Sequence, residues 1–149
     1  MSEAAGTRAV VVRRLVAASP SRVFDAWTDP AQLRAWWGPE GFSCTDAAVD
    51  LRSGGQYRLV MRAPAGPEMT LTGTYLTVEP PHRLVYTWHW ESGPPGGEPD
   101  SVVTVEFLDR DGDTEVVVTH GQFPPGHDTS QYEGGWKDAF DKLEAVFAD

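Results

Sequence analysis

The hydrophobic period of this chain changes along its length, and the order of the changes restricts the fold more than any other feature. From Phe42 to His120 apolar residues alternate with polar ones in six successive stretches, whereas from Asp128 to Asp149 they recur at helical spacing. Tyr57, Leu59 and Met61 alternate with Arg58, Val60 and Arg62. Leu84, Tyr86, Trp88 and Trp90 share one face of a later stretch, and Val103, Val105 and Phe107 share a face of the next. Six strands with an apolar face need a cover, and the stripe Tyr132, Trp136, Phe140, Leu143 and Phe147 supplies it. The expectation is an α+β fold in which a curved antiparallel sheet wraps around a long C-terminal helix.

The N-terminal third adds one strand and two short helices. Val-rich Arg8 to Ala17 reads as a strand, and Ser19-Pro20 is an N-cap followed by a proline at the first helical position. Val23, Phe24 and Trp27 mark the buried side of that helix; Asp29-Pro30 repeats the start signal, and Gly38-Pro39 stops the second helix after Leu33, Trp36 and Trp37. Adjacent tryptophans cannot both point one way from a helix, so one is expected to anchor the helix pair and the other to lie near a mouth. Val10, Val11 and Val12, like Val116, Val117 and Val118, leave the inward face of the first and last strands open. Gly134-Gly135 either weakens the start of the last helix or permits a close approach by the sheet.

Hairpin connections sort by length onto the two ends of such a sheet. Arg52 to Gly55, Glu79 to His82 and Asp109 to Asp113 are tight, whereas Ala63 to Glu68, Glu91 to Asp100 and Gly121 to Ser130 are longer and rich in Gly and Pro. Long loops gathered at one end would frame the mouth of a pocket.

Composition removes several classes of function. A length of 149 residues suits one domain, residues 1–149, with 1–7 expected to fray, and the opening residues have no signal-peptide pattern. Twelve Lys and Arg against 22 Asp and Glu give a net charge of −10, which argues against nucleic acid and anionic membranes as partners. Apolar runs fall short of a membrane span, so a soluble cytoplasmic chain, monomer or homodimer, is expected. Cys44 is the only cysteine and sits in a strand-like stretch, where it reads as a reduced structural thiol. Histidines and acids lack metal-ligand spacing, and Gly54-Gly55 lacks the Lys and Ser or Thr of a phosphate loop; no metal and no cofactor are expected.

The order of strand, two helices, six strands and helix resembles the START-like, or SRPBCC (Bet v 1-like), helix-grip superfamily. Arg14 to Ser19, Val23 to Pro30, Leu33 and Trp36-Trp37-Gly38-Pro39 are similar to the N-terminal signature of its AHSA1-like branch, which is homologous to the C-terminal domain of the activator of Hsp90 ATPase. Gly54-Gly55-Gln56-Tyr57, Gly73-Thr74-Tyr75, Glu79-Pro80-Pro81, Arg83 to Trp88, Thr119-His120 and Gly135-Trp136 extend the resemblance along nearly the whole chain. It implies a cavity between sheet and helix. The eukaryotic Hsp90 activator has a further N-terminal domain for which this chain has no room, which argues against an Hsp90 interaction. The polar set that bacterial cyclases place in the cavity has no counterpart here.

The leading expectation is a protein that binds a small hydrophobic molecule, lipid-like, polyketide-like or aromatic. Its lining would come from Trp37, Tyr57, Leu59, Met61, Leu84, Tyr86, Trp88, Trp90, Val103, Val105, His120, Trp136 and Phe140. A cyclase- or hydrolase-like enzyme is the first alternative, with His120, Tyr86 and Arg14 as the residues able to serve acid–base chemistry. A co-chaperone or protein-interaction module is the second. His89 alternates away from the aromatic face and is expected to meet solvent; His82 and His127 fall in turns.

Overall fold

The computed structural model describes residues 8–38, 41–63, 66, 68–92, 100–123 and 129–147. The expected frayed terminus, Pro39, His127 and most of the three long loops lie outside the described residues. The elements are β1 (Arg8–Val16), α1 (Pro20–Thr28), α2 (Pro30–Trp36), β2 (Ser43–Val49), β3 (Gln56–Arg62), β4 (Glu68–Glu79), β5 (Arg83–Ser92), β6 (Ser101–Arg110), β7 (Asp113–Phe123) and α3 (Ser130–Phe147).

Caps set the helical hairpin. The Ser19 hydroxyl accepts from the Arg22 N–H at 3.4 Å, and Pro20 follows at the first helical position. Asp29 serves two helices: its N–H donates to the Asp25 carbonyl to close α1, while its carboxylate accepts from the Ala31 N–H to open α2. Both helices are short, and burial of Val23, Phe24, Trp27, Leu33 and Trp36 fixes them to the sheet.

The strands form one antiparallel sheet in the order β1-β7-β6-β5-β4-β3-β2, so β1 and β2 are its two edges. A two-residue turn, Asp111-Gly112, joins β6 to β7, with Arg110 opposite Asp113. Register slips between Cys44 and Asp46 in β2, and twice in β4, bend the sheet. Its concave face carries Leu59, Leu71, Tyr75, Leu84, Tyr86, Val103, Val105, Val116 and Val118, all buried against the helices. The open faces now resolve: Val10 and Val12 point inward, whereas Val11 is 53% exposed.

α3 covers the gap between the two sheet edges and is tied on both flanks. On the β1 side, the Arg14 guanidinium donates to Asp141 and Glu144 at 2.8 and 2.6 Å. On the other side, the Lys142 ammonium donates to the carbonyls of Trp37, Gly38 and Phe42 at 3.4, 3.1 and 3.0 Å. Gly38 has φ +104°, a left-handed turn that suits glycine, and the Met61 sulfur lies 3.2 Å from where a β-carbon would stand. Gly134 has open space around it, so close packing does not account for it.

Trp36 and Trp37 are both buried although they are adjacent in sequence. The physical reason is that α2 ends at Trp36. Trp37 has ψ 140°, extended rather than helical, so consecutive side chains leave the backbone in different directions. Trp36 does anchor the helix pair, its indole N–H donating to the Ala26 carbonyl at 2.9 Å.

Gly73 interrupts the apolar face of β4 for a steric reason. The Tyr57 hydroxyl reaches across β4 to donate to the Thr87 carbonyl at 2.6 Å. A β-carbon on Gly73 would strike that carbonyl and stand 2.6 Å from the Tyr57 ring. Gly73→Ala is therefore expected to cost about 1–3 kcal/mol in a urea denaturation series, the usual penalty of overpacking. Leu76→Thr, at a position 50% exposed, should stay within about 0.5 kcal/mol of the parent. Equal stability of the Gly73 variant and the parent would remove the close-approach explanation.

Candidate functional site

The space between sheet and helices is packed with aromatic rings. All six tryptophans belong to one network: Trp27 and Trp36 lie 4.7 Å apart, Trp36 and Trp37 5.4 Å, and Trp88 and Trp90 5.7 Å. Trp136 sits at the centre, 6.0 Å from Trp27, 5.5 Å from Trp37 and 5.6 Å from Trp88. Beside it is a small cavity of about 10 Å³, lined by Trp27, Leu33, Trp37, Val49, Tyr57, Leu59, Tyr75 and Tyr86. That is room for about one water molecule. The roomy cavity expected from the resemblance is thus filled at this place by the side chains that would line it.

Indole donors inside a protein need acceptors, and four of the six find one. Trp27 donates to the Tyr86 hydroxyl, Trp36 to the Ala26 carbonyl, Trp90 to the Tyr132 hydroxyl and Trp136 to His120 Nδ1. The N–H groups of Trp37 and Trp88 are buried without a hydrogen-bond partner among the described residues. Leaving a buried donor unpaired costs on the order of 1–3 kcal/mol.

His120 is fully buried on β7, between Val10 of β1 and Val103 of β6. Its Nδ1 receives the Trp136 N–H at 3.1 Å, and its Nε2 lies 2.7 Å from the Ser101 hydroxyl. An indole N–H can only donate, so Nδ1 must be the unprotonated nitrogen of the ring. A neutral imidazole then carries its proton on Nε2 and donates to Ser101. That direction is opposite to what a Ser–His nucleophile pair requires, in which the imidazole accepts the hydroxyl proton. Burial drives the His120 pKa from 6.5 down to about 3, so the ring is neutral at physiological pH.

The remaining ionisable candidates are also held in one state. Burial raises the pKa of Tyr57, Tyr75 and Tyr86 well above the usual phenol value, which keeps all three hydroxyls protonated. Burial likewise raises Cys44, whose thiol lies 3.4 Å from the Asp46 carbonyl, and it remains a thiol. Among the described residues, no three His, Cys, Asp or Glu side chains gather into a group able to hold a metal.

The three acid–base candidates have different neighbours. Tyr86 packs with Tyr57 and Tyr75, ring centroids 5.3 and 6.0 Å away, and bonds Trp27. His120 packs with Trp88, Phe123, Tyr132 and Trp136. Arg14 is engaged by Asp141 and Glu144, four residues along β1 from the partner of His120 and so roughly 13 Å away along the strand.

Of the thirteen lining candidates, Trp37, Tyr57, Leu59 and Tyr86 border the small cavity. Met61, Leu84, Trp88, Val103, Val105, Trp136 and Phe140 are buried in the surrounding core, His120 lies at its polar node, and Trp90 is half-buried. His89 is exposed and bonded to Asp100 at 2.8 Å. Four lining residues were not among the candidates: Trp27, Leu33, Val49 and Tyr75. Tyr75 follows Leu71 and Gly73 at period two, which was the available signal; Trp27 and Leu33 carried only a helix-packing pattern.

A bent sheet whose edges are bridged by a C-terminal helix, with an aromatic interior between them, defines the helix-grip class. Within it, the chain belongs to the family described as Activator of Hsp90 ATPase homolog 1-like protein, which matches residues 17–148. The structure superimposes on a protein from Chromobacterium violaceum with TM-score 0.83 and 27% identity, covering 93% of this chain and 95% of that one. It matches the AHSA1 protein from Silicibacter pomeroyi with TM-score 0.79 and 26% identity, covering 94% and 97%. The activator of 90 kDa heat shock protein ATPase homolog 1 of Mus musculus is 21% identical over 128 residues, which are 86% of this chain and 33% of that protein. The chain therefore spans about a third of the length of the curated relative it matches.

The His120 environment sets a pH dependence with a definite sign. The folded pKa is about 3 and the ordinary value 6.5, so between them the unfolded chain binds a proton that the folded one does not. Stability from this residue is complete above pH 6.5 and is lost as pH falls toward 3, at up to ~1.4 kcal/mol per unit. Urea midpoints of the parent and His120→Leu, compared from pH 7 to 5, should show a less stable variant with a flatter profile. Parallel profiles would mean that His120 is not the group buried neutral.

Proposed function

We propose that the protein binds a small, largely apolar molecule in the aromatic interior, entered by displacement of Trp37. The observation that carries this reading is the cavity bordered by Trp37, Tyr57, Leu59, Tyr75 and Tyr86. Its rings supply broad apolar contact, and its hydroxyls supply polar contacts that stay neutral. In the closed structure it admits about one water, so a ligand enters only if part of the lining moves. Trp37 is the lining residue best placed to move, because it stands outside α2 and precedes the left-handed Gly38. The half-buried Lys142 donates to the carbonyls of Trp37, Gly38 and Phe42 and so latches Trp37 in place.

The closed volume favours a compact aromatic or alicyclic guest over a long acyl chain. Family membership supports the same reading, since helix-grip proteins commonly hold apolar ligands between sheet and helix. Indane is a suitable probe. Titration should produce saturable amide shifts centred on Tyr57, Leu59 and Tyr75, and Lys142→Met should speed association several-fold by releasing the latch. Leu59→Ala should tighten indane binding by enlarging the cavity while costing about 2–5 kcal/mol of stability. Absence of any saturable shift in the parent and in Leu59→Ala would refute the binding reading.

A further inference from the structure

We propose that the interior selects a ligand carrying a neutral oxygen acceptor, and that the indole N–H groups of Trp37 and Trp88 read it. This deepens the binding reading above and rests on it. The core provides acceptors for the indoles of Trp27, Trp36, Trp90 and Trp136, using a hydroxyl, a carbonyl, a second hydroxyl and an imidazole nitrogen. The two left without a partner among the described residues are neighbours, their rings 5.9 Å apart, and each is more than nine-tenths buried. Trp37 borders the cavity.

Other polar groups near the cavity point to the same chemistry. The Tyr86 oxygen already accepts the Trp27 N–H, which leaves its proton as the group to offer a guest. The Tyr57 hydroxyl is committed to the Thr87 carbonyl. The site is therefore rich in donors, and a guest meets it best with acceptors. The acceptor is neutral because the described residues of the cavity lining include no cation. Arg14 is paired with Asp141 and Glu144, and Lys142 donates to the carbonyls of Trp37, Gly38 and Phe42. A carboxylate buried there would lack a counter-charge, whereas a ketone or ester carbonyl needs only the N–H groups.

The matched probes are 1-indanone and indane, which differ chiefly in one carbonyl oxygen. Two hydrogen bonds gained on binding give an expected preference for the ketone of roughly ten-fold. The indole ¹⁵N–¹H resonances of Trp37 and Trp88 should move downfield with 1-indanone and not with indane. Trp37→Phe and Trp88→Phe keep a ring and remove the donor, and together should reduce the preference to near unity. The resonance shifts in the parent decide the matter even if a variant fails to fold. Equal affinity for the two probes, with both indole resonances unmoved, would overturn the acceptor inference and leave apolar binding standing. Failure of both probes to bind would overturn the binding reading, and this inference with it.

Discussion

The hydrogen bond from the Trp136 indole to His120 Nδ1 is the constraint around which the interior is arranged. Trp136 is the ring that brings α3 into contact with Trp27 of α1, Trp37 beyond α2 and Trp88 of β5. Aromatic contacts alone leave a ring free to slide among similar packings, because dispersion is weakly directional. A donor bound to one nitrogen on a central strand removes that freedom. It fixes the rotation of α3 over the sheet, the tautomer of His120, and through Nε2 the position of Ser101. A leucine at residue 136 could fill part of the volume but could fix none of these.

The fold has a seam, and α3 covers it. With β1 and β2 at opposite edges of the sheet, no strand pairing closes the curve, and the helices lie between those edges. The two flanks of α3 are secured differently. Arg14 makes two charge-assisted bonds to Asp141 and Glu144, joining α3 to a long strand that is itself paired along its length with β7. Lys142 donates to the backbone carbonyls of Trp37, Gly38 and Phe42, which lie outside the helices and strands. The small cavity lies on the β2 flank, beside Trp37, Val49 of β2, and Tyr57 and Leu59 of β3.

Much of this was legible in the sequence because the responsible forces are local. Alternation placed Leu84, Tyr86, Trp88, Val103 and Val105 on the buried face, and Ser19-Pro20 and Asp29-Pro30 located both helix starts to the residue. The burial of both Trp36 and Trp37 turns on a single residue of helix length. Carrying α2 through Trp37 forces the two rings apart, whereas ending it at Trp36 lets both be buried. The inward placement of Val49 follows from a register slip in β2, and such slips leave little trace in hydropathy, whereas Tyr75 keeps the period of Leu71 and Gly73. The partners of His120 come from residues 101 and 136, on two other elements, so its tautomer could not be read from the chain. Cavity volume was the least legible quantity: it is the small residue left after large ring volumes pack, and no alternation rule contains it.

Chemistry and recognition make different demands on a buried polar group, and the proposed binding role rests on the second. A group that moves protons near neutral pH must have a pKa near the working pH. Here burial pushes His120 to about 3 and the three tyrosines well above the ordinary phenol value, so none of the four changes charge between pH 5 and 8. The same burial that removes titration strengthens directional hydrogen bonding, since no water competes for the donors. Trp27, Trp36, Trp90 and Trp136 use that strength to hold the protein together, and their acceptors are other protein groups. Trp37 and Trp88 have the same donor, buried without such an acceptor among the described residues, and Trp37 borders the cavity. Donors that satisfied the fold completely would leave a guest nothing but shape to match; on the proposed reading, the two indole donors add a polar criterion.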